Sequence, residues 1–266
     1  MYILGIHNGF DSGAALIKDG KPISCINEER LNRKKGYVGP PTLSIQAVLK
    51  MAGIHFDDID IITQAGITAP LTHQSFSEVG FRQRFASCIS YVPFIKKSKY
   101  LVSLYRYFSK KNRSDSEVNG ILNNINIQKP IDFIDHHLCH AATAYFCSPF
   151  KASQNKVLVV TSDGSGDGLS STISVIDKSK ISVKHRVNSY NSIAVIYGYV
   201  THNLGFKQHL HEGKITGLAA YGDASKTLSI FQKILFFNKK TEEPNNNLPG
   251  FGMASAKKPL LIRSNP

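Results

Sequence analysis

One pattern occurs twice in this chain: strand, glycine- and aspartate-rich turn, strand, short turn, strand. The copies start about 155 residues apart, at Tyr2 and Val157, and they restrict what the chain can fold into. In the first, residues 2–7 are an apolar run and Asn8-Gly9-Phe10-Asp11-Ser12-Gly13 is a polar turn. Residues 14–17 are a second run, Asp19-Gly20 a tight turn, and 22–26 a third run. In the second, 157–161 is apolar and β-branched, and Asp163-Gly164-Ser165-Gly166-Asp167-Gly168 is the turn. Residues 171–176 and 181–187 alternate around Asp177-Lys178-Ser179-Lys180. Asp-Gly between apolar runs is a strong hairpin signal. Each copy therefore predicts three consecutive antiparallel strands. Two copies this far apart predict two related lobes rather than a solenoid.

Each copy leads into helical sequence. Residues 42–51 predict a helix, entered after Pro40-Pro41 and closed at Gly53, and 59–63 predict a buried strand. Residues 131–134 predict a short strand, and 136–146 a helix with Asp135 as its N-cap. Residues 193–204 and 214–221 predict two more helices. The fold class is α/β, mixed sheets with flanking helices. The expected organisation is a first lobe at 1–152 with a basic helical insertion at about 72–124, a partial second lobe at 153–240, and an irregular tail at 241–266 rich in Pro, Asn and Lys.

The net charge is +13, and residues 82–113 hold nine Lys/Arg and no acid, interleaved with Tyr91, Phe94, Tyr100, Tyr105, Tyr107 and Phe108. Such a surface can track a phosphate backbone and stack bases. A helix with aromatics inward and lysines in water produces the same mixture, so nucleic acid is not the expected partner. No apolar run reaches the roughly 18 residues of a membrane span. The first eleven residues lack a secretory pattern, and the four cysteines show no CxxC pair. A cytoplasmic protein with reduced thiols is expected.

Four motifs carry chemistry. In the turn 8–13, glycine allows close approach of backbone N–H groups to an anion, so Asn8 and Gly9 are candidate phosphate contacts. Asp11 is a candidate for metal or water. A plain hairpin turn would look the same. Its recurrence at Asp163, Gly164, Gly166 and Asp167 suggests a pair of turns around a nucleotide's phosphates. In Asp135-His136-His137-Leu138-Cys139-His140, His136 and His140 are one helical turn apart and can share a metal; so can His137 and His140. Imidazoles suit Zn²⁺ and Fe²⁺ alike, and Asp11 or Asp163 could add a ligand. The alternative is a helix start with solvent-facing and capping histidines. In the stretch 209–222, Glu212, Gly213, Lys214 and Gly217 could meet ribose and phosphate, or simply pack a helix. Asn27-Glu28-Glu29-Arg30 with Arg33-Lys34-Lys35 is a solvated charged loop, or a source of a catalytic cation at Lys34.

Together these stretches resemble the NodU/CmcH-type O-carbamoyltransferase family. The matching residues are Ile3-Leu4-Gly5-Ile6 through Asp11-Ser12 and Ala14-Ala15-Leu16; Asn27-Glu28-Glu29-Arg30-Leu31; Asp135-His136-His137 with His140-Ala141-Ala142; Ser148-Pro149-Phe150; Asp163-Gly164 with Gly166-Asp167-Gly168; and His211-Glu212-Gly213-Lys214 with Gly217 to Gly222. They fall in the family's order over residues 2 to about 222. The resemblance implies an actin/Hsp70-like ATPase (ASKHA) fold of ribonuclease H-like lobes, like that of the tRNA threonylcarbamoyl-adenosine enzymes. It implies binding of ATP and carbamoyl-adenylate, a divalent metal on His136 and His140 near Asp163, and transfer of a carbamoyl group from carbamoyl phosphate to the hydroxyl of a small molecule.

The sequence departs from the family in two ways. The family's His-Asp at the first turn is Phe10-Asp11 here, and phenylalanine takes no proton; the catalytic candidates are then Asp11, His7 and Lys34. The family also runs to roughly twice this length. The expectation is a truncated N-terminal part with an incomplete second lobe, or one half of a split enzyme completed by a separate chain. Rival readings are an inactive nucleotide-binding protein and another ATP-dependent, kinase-like enzyme on the same scaffold.

Overall fold

The computed structural model describes residues 1–68, 104, 129–239 and 243–246. These gather into two compact units: 1–68, 104 and 129–140 in one, 141–239 and 243–246 in the other. The basic, aromatic stretch at 82–113 lies outside the described residues except Leu104, as do Cys88 and residues 247–266.

In the first unit, β1 (Tyr2–His7), β2 (Gly13–Lys18) and β3 (Lys21–Asn27) pair antiparallel in chain order. The turn between β2 and β3 is Asp19-Gly20, with φ of 48° and 77°. Those signs match the left-handed pair that a two-residue hairpin requires. β4 (Ile61–Ala65) and β5 (Ile131–Ile134) add parallel beyond β1. The resulting order β3-β2-β1-β4-β5 is that of a ribonuclease H-like lobe, the architecture the resemblance implies.

The apolar alternation of the strands puts Leu4, Ile6, Ala14, Leu16 and Ile62 in one core. Helix α2 (Thr42–Ala52) closes it with Ile45, Val48 and Leu49. That spacing forms one stripe on a helix. Gly53, at φ 67°, ends α2 by donating to the carbonyls of Leu49 and Lys50, a left-handed C-cap. β4 forms two residues later than expected. The cause is a single 3₁₀ turn at Phe56–Asp58, where the Asp58 carboxylate accepts from the His55 N–H at 2.8 Å.

The charged stretch after β3 is a helix rather than a loop, α1 (Glu28–Asn32). Its first residue explains why. α2 begins after Pro41, which offers no side-chain cap, and Glu28 serves in its place. Its carboxylate accepts from Leu43 N (3.2 Å), Ser44 N (2.7 Å) and Ser44 Oγ (2.8 Å). Glu28 is 3% exposed, so these bonds form away from water, at the end of a helix whose N–H groups attract negative charge.

Gly13 opens β2 against β3. A Cβ there would lie 2.8 Å from the Ile26 carbonyl oxygen and 3.1 Å from the Asn27 Cα. Both obstacles are backbone and cannot swing aside. Gly13→Ala is expected to lower stability by about 1–3 kcal/mol, as overpacking does, read as a lower urea midpoint at unchanged slope.

Helix α3 (His136–Phe146) leads from the first unit into the second. Its start is capped as expected, Leu138 N donating to Asp135 Oδ1 at 2.9 Å. The second meander is β6 (Val157–Gly166), β7 (Leu169–Asp177) and β8 (Lys180–Asn188), antiparallel in chain order. Ala141 and Tyr145 of α3 pack on Val159 and Ile176. The second turn differs from the first. β6 runs on to Gly166 through a register irregularity after Ser162. The reversal itself is only Asp167-Gly168, at φ 52° and 79°. Asp163 and Gly164 thus lie on a bulged strand rather than in an open turn.

Helices α4 (Val195–Asn203) and α5 (Glu212–Ala219) follow, near their expected places. Then come α6 (Leu228–Ile234), β9 (Leu235–Asn238) and β10 (Glu243–Asn246). β10 corrects the expectation of an irregular tail at its start: residues 243–246 pair antiparallel with β9. Pro244 is tolerated because a two-stranded ribbon leaves outer edges where no ladder N–H is needed. Among the described residues no disulfide joins Cys25, Cys139 or Cys147. Among the described residues no helix is long and apolar enough to cross a membrane.

Candidate functional site

In the first unit, the carboxyl ends of parallel strands are where an α/β sheet presents its ligand-binding residues. β1 ends at His7 and is followed by Asn8, and β5 is followed by Asp135 and His136. The loop after β1 is held on several sides by backbone and side-chain bonds. Ser12 N donates to the Tyr37 carbonyl (3.1 Å), Gly39 N to the Asn8 carbonyl (3.0 Å) and Glu28 N to the Ser12 carbonyl (2.8 Å). Asn27 Nδ2 donates to the Asp11 carbonyl at 3.1 Å. Residues 36–39 therefore clamp the first turn from outside it. Asn8 and Gly9 are buried, whereas Phe10 at the tip is 47% exposed.

Asp11 sits in this turn at φ 57°, a left-handed conformation aspartate tolerates better than most residues. Desolvation and then the charge of Glu29 push its carboxyl up from the ordinary range; His7, Lys35 and Arg30 act against this. Lys34 is exposed, in the loop after α1.

The histidines of α3 resolve the choice between pairings. His136 Nε2 and His140 Nε2 lie 3.0 Å apart, with ring centroids 4.6 Å apart at 78°. His137 is 1% exposed and turns its ring elsewhere, 6.0 Å from that of His140. Two Nε2 atoms so close suit one shared ion: ligands at about 2.0–2.1 Å in tetrahedral geometry are about 3.3 Å apart. The donor set is thus one that Zn²⁺ or Fe²⁺ fits. The His7 ring is 6.4 Å from that of His136, edge-on.

In the second unit, Asp163 Oδ1 accepts from Gly164 N at 2.5 Å, and the Asp163 carbonyl accepts from Ser192 Oγ at 3.1 Å. Gly166 and Asp167 are buried at the end of the hairpin. Glu212 Oε1 accepts from His209 N at 2.6 Å, tying the preceding turn to the start of α5. Lys214 Nζ lies 5.6 Å over the Phe206 ring. A Cβ added to Gly164, Gly213 or Gly217 would meet nothing within 4 Å. Packing does not require glycine at these positions, whereas close approach of a ligand would.

Two features escaped the sequence reading. Glu28 is a buried cap rather than a solvated charge. Gln64, on β4, is fully buried and donates to Asn8 Oδ1 at 2.6 Å. Its signal was present, a lone carboxamide in an otherwise apolar, β-branched strand.

Comparison with known proteins adds lineage to this geometry. The model of the family described as carbamoyltransferase N-terminus matches residues 2–247. The Synechocystis protein sll1178 is 28% identical over 243 residues, 88% of this chain and 37% of that one. Nodulation protein NolNO of Sinorhizobium fredii is 30% identical over 227 residues, 84% of this chain and 29% of that one. The chain spans about a third of the length of these curated relatives. Among solved structures, YeaZ from Pseudomonas aeruginosa is similar with a TM-score of 0.34 and 12% identity, over 71% of this chain and 69% of that one.

Proposed function

The chain belongs to the carbamoyltransferase N-terminus family, and from that premise we propose that it is the nucleotide- and metal-binding part of an ATP-dependent O-carbamoyltransferase. The observation that carries the metal half of this reading is the convergence of His136 and His140 Nε2 at 3.0 Å, just beyond β5. Family membership carries the nucleotide half. In this reading His136 and His140 hold the ion. When bound, the metal supplies a Lewis acid for oxygens of the phosphates or of the carbamoyl group.

The chain's own groups do the rest. Backbone N–H groups at Asn8 and Gly9, and at Gly164, Gly166 and Asp167, cradle phosphate oxygens without reorganising. Glu212, Gly213, Lys214 and Gly217 line the nucleoside side, with Lys214 neutralising negative charge. His7 takes a proton from the acceptor hydroxyl, a role phenylalanine at position 10 cannot fill. Asp11, with its carboxyl pushed up, holds a proton to higher pH than an ordinary aspartate. Lys34 attracts carbamoyl phosphate. The partners are that anion and a small-molecule alcohol.

Calorimetric titration of ATP into the full chain, with and without Zn²⁺ or Fe²⁺, tests this reading. Binding that tightens with metal and weakens in Asp163→Ala is expected. A folded, metal-loaded chain that takes up no ATP would sink it. ATP turnover that requires carbamoyl phosphate separates carbamoyl activation from kinase-like transfer. Phe10, solvent-exposed at the turn tip, favours a second reading, a chain that binds nucleotide and leaves proton transfer to another polypeptide. Carbamoyl product formed by the purified chain alone would exclude that.

A further inference from the structure

Position 64 pairs with Ile6 of β1, and Gln64 follows Ile62 on the face that packs the apolar core. An aliphatic side chain is the residue that position calls for. A carboxamide buried there is destabilising unless it is hydrogen-bonded. Gln64 is 0% exposed. Its Nε2 donates to Asn8 Oδ1, across 56 residues of sequence, while its Oε1 is buried with no partner among the described residues. A buried, unpaired acceptor is destabilising. Such a group in a native core calls for an explanation beyond packing.

The bond fixes which way the Asn8 amide faces. Asn8 Oδ1 points inward to Gln64, so Nδ2 points away from it. Nδ2 donates to no described residue, and it is not among the buried unpaired atoms, so it reaches solvent. The reverse arrangement, with both amides turned over, would strand both N–H groups of Gln64 in the core. Orphaned buried N–H groups are rarer than under-satisfied carbonyls. The Asn8 backbone carbonyl is also occupied, by Gly39 N, which leaves Nδ2 as the outward polar group of this residue.

We infer that Gln64 is a positioning residue that locks the Asn8 amide with Nδ2 outward, as a fixed donor to an anionic oxygen of the phosphate class bound at the first turn. This rests on the nucleotide reading proposed above. A donor locked before the ligand arrives needs no reorientation when it binds, which is what the buried contact secures.

The test is NMR of the Asn8 side-chain amide in the full chain, titrated separately with pyrophosphate and with ATP. Asn8→Asp and Gln64→Leu are then compared with the unaltered protein. Asn8→Asp keeps an acceptor for Gln64, removes the outward donor and puts a negative charge in its place. The Asn8 amide signals are expected to shift on saturation. Pyrophosphate affinity is expected to fall more than about tenfold in Asn8→Asp, where a lost hydrogen bond and like-charge repulsion add, and by a smaller factor in Gln64→Leu, the scale of one hydrogen bond. Gln64→Leu fills an apolar site, so its melting temperature is expected to hold or rise while affinity falls, a split that a purely structural role does not give. Unmoved Asn8 signals at saturation with pyrophosphate, or unaltered affinity in a folded Gln64→Leu, overturn the inference. If Gln64→Leu does not fold, the Asn8 amide signals decide. Pyrophosphate shifts without ATP binding would sink the nucleotide reading and leave this one standing.

Discussion

Replacing His136 and His140 together with alanine is expected to lower affinity for Zn²⁺ by roughly a thousandfold or more. Loss of a group that merely orients a ligand costs about 10–100-fold in metal affinity; here both donors are removed outright. The 3.0 Å approach of the two Nε2 atoms is why the effect should exceed that of two unrelated surface histidines. The fold should survive, since His140 is exposed and His136 only half-buried. Circular dichroism and the unfolding midpoint should therefore match the unaltered chain while a competitive chelator assay shows the loss. Metal and protons compete for the same lone pairs, so binding to the unaltered chain should release protons and weaken in acid. Unchanged affinity in the double variant would remove the metal from this site and with it the metal half of the proposed function.

The second large effect is on stability. Glu28→Ala is expected to cost about 3 kcal/mol, combining loss of a helix cap with polar groups left unpaired away from water. Three donors are stranded at once, Leu43 N, Ser44 N and Ser44 Oγ, and Ser44 is itself fully buried. Glu28→Gln keeps the shape and one acceptor oxygen, so it should lose less. Urea denaturation of both variants measures the difference. Equal midpoints for Glu28→Ala and the unaltered chain would show that water reaches the start of α2 and replaces the carboxylate.

The meanders, α2, α3 and their caps were legible because their determinants are local. Asp19-Gly20, Gly53 and Asp135 each act within a few residues of where they stand. The histidine pair was legible for the same reason, four residues on a helix being one turn. Glu28 and Gln64 were not, because their partners lie 16 and 56 residues away. What makes them structural or functional exists only once the sheet has formed. The second turn was misjudged in detail because a bulge keeps the composition of a loop while its backbone continues a strand. Similarly, Pro244 reads as a strand breaker until the ribbon shows that no N–H is needed at that position.

The clamp of residues 36–39 on the first turn has a practical side. Tyr37 holds Ser12 through its backbone carbonyl, so the bond does not depend on the identity of the side chain. The chain contains no tryptophan. An indole placed at position 37 would be its sole tryptophan, emitting at longer wavelength than the tyrosines, and joined by one hydrogen bond to the first turn. Occupancy of that loop could then be followed by emission, in real time and without an attached dye.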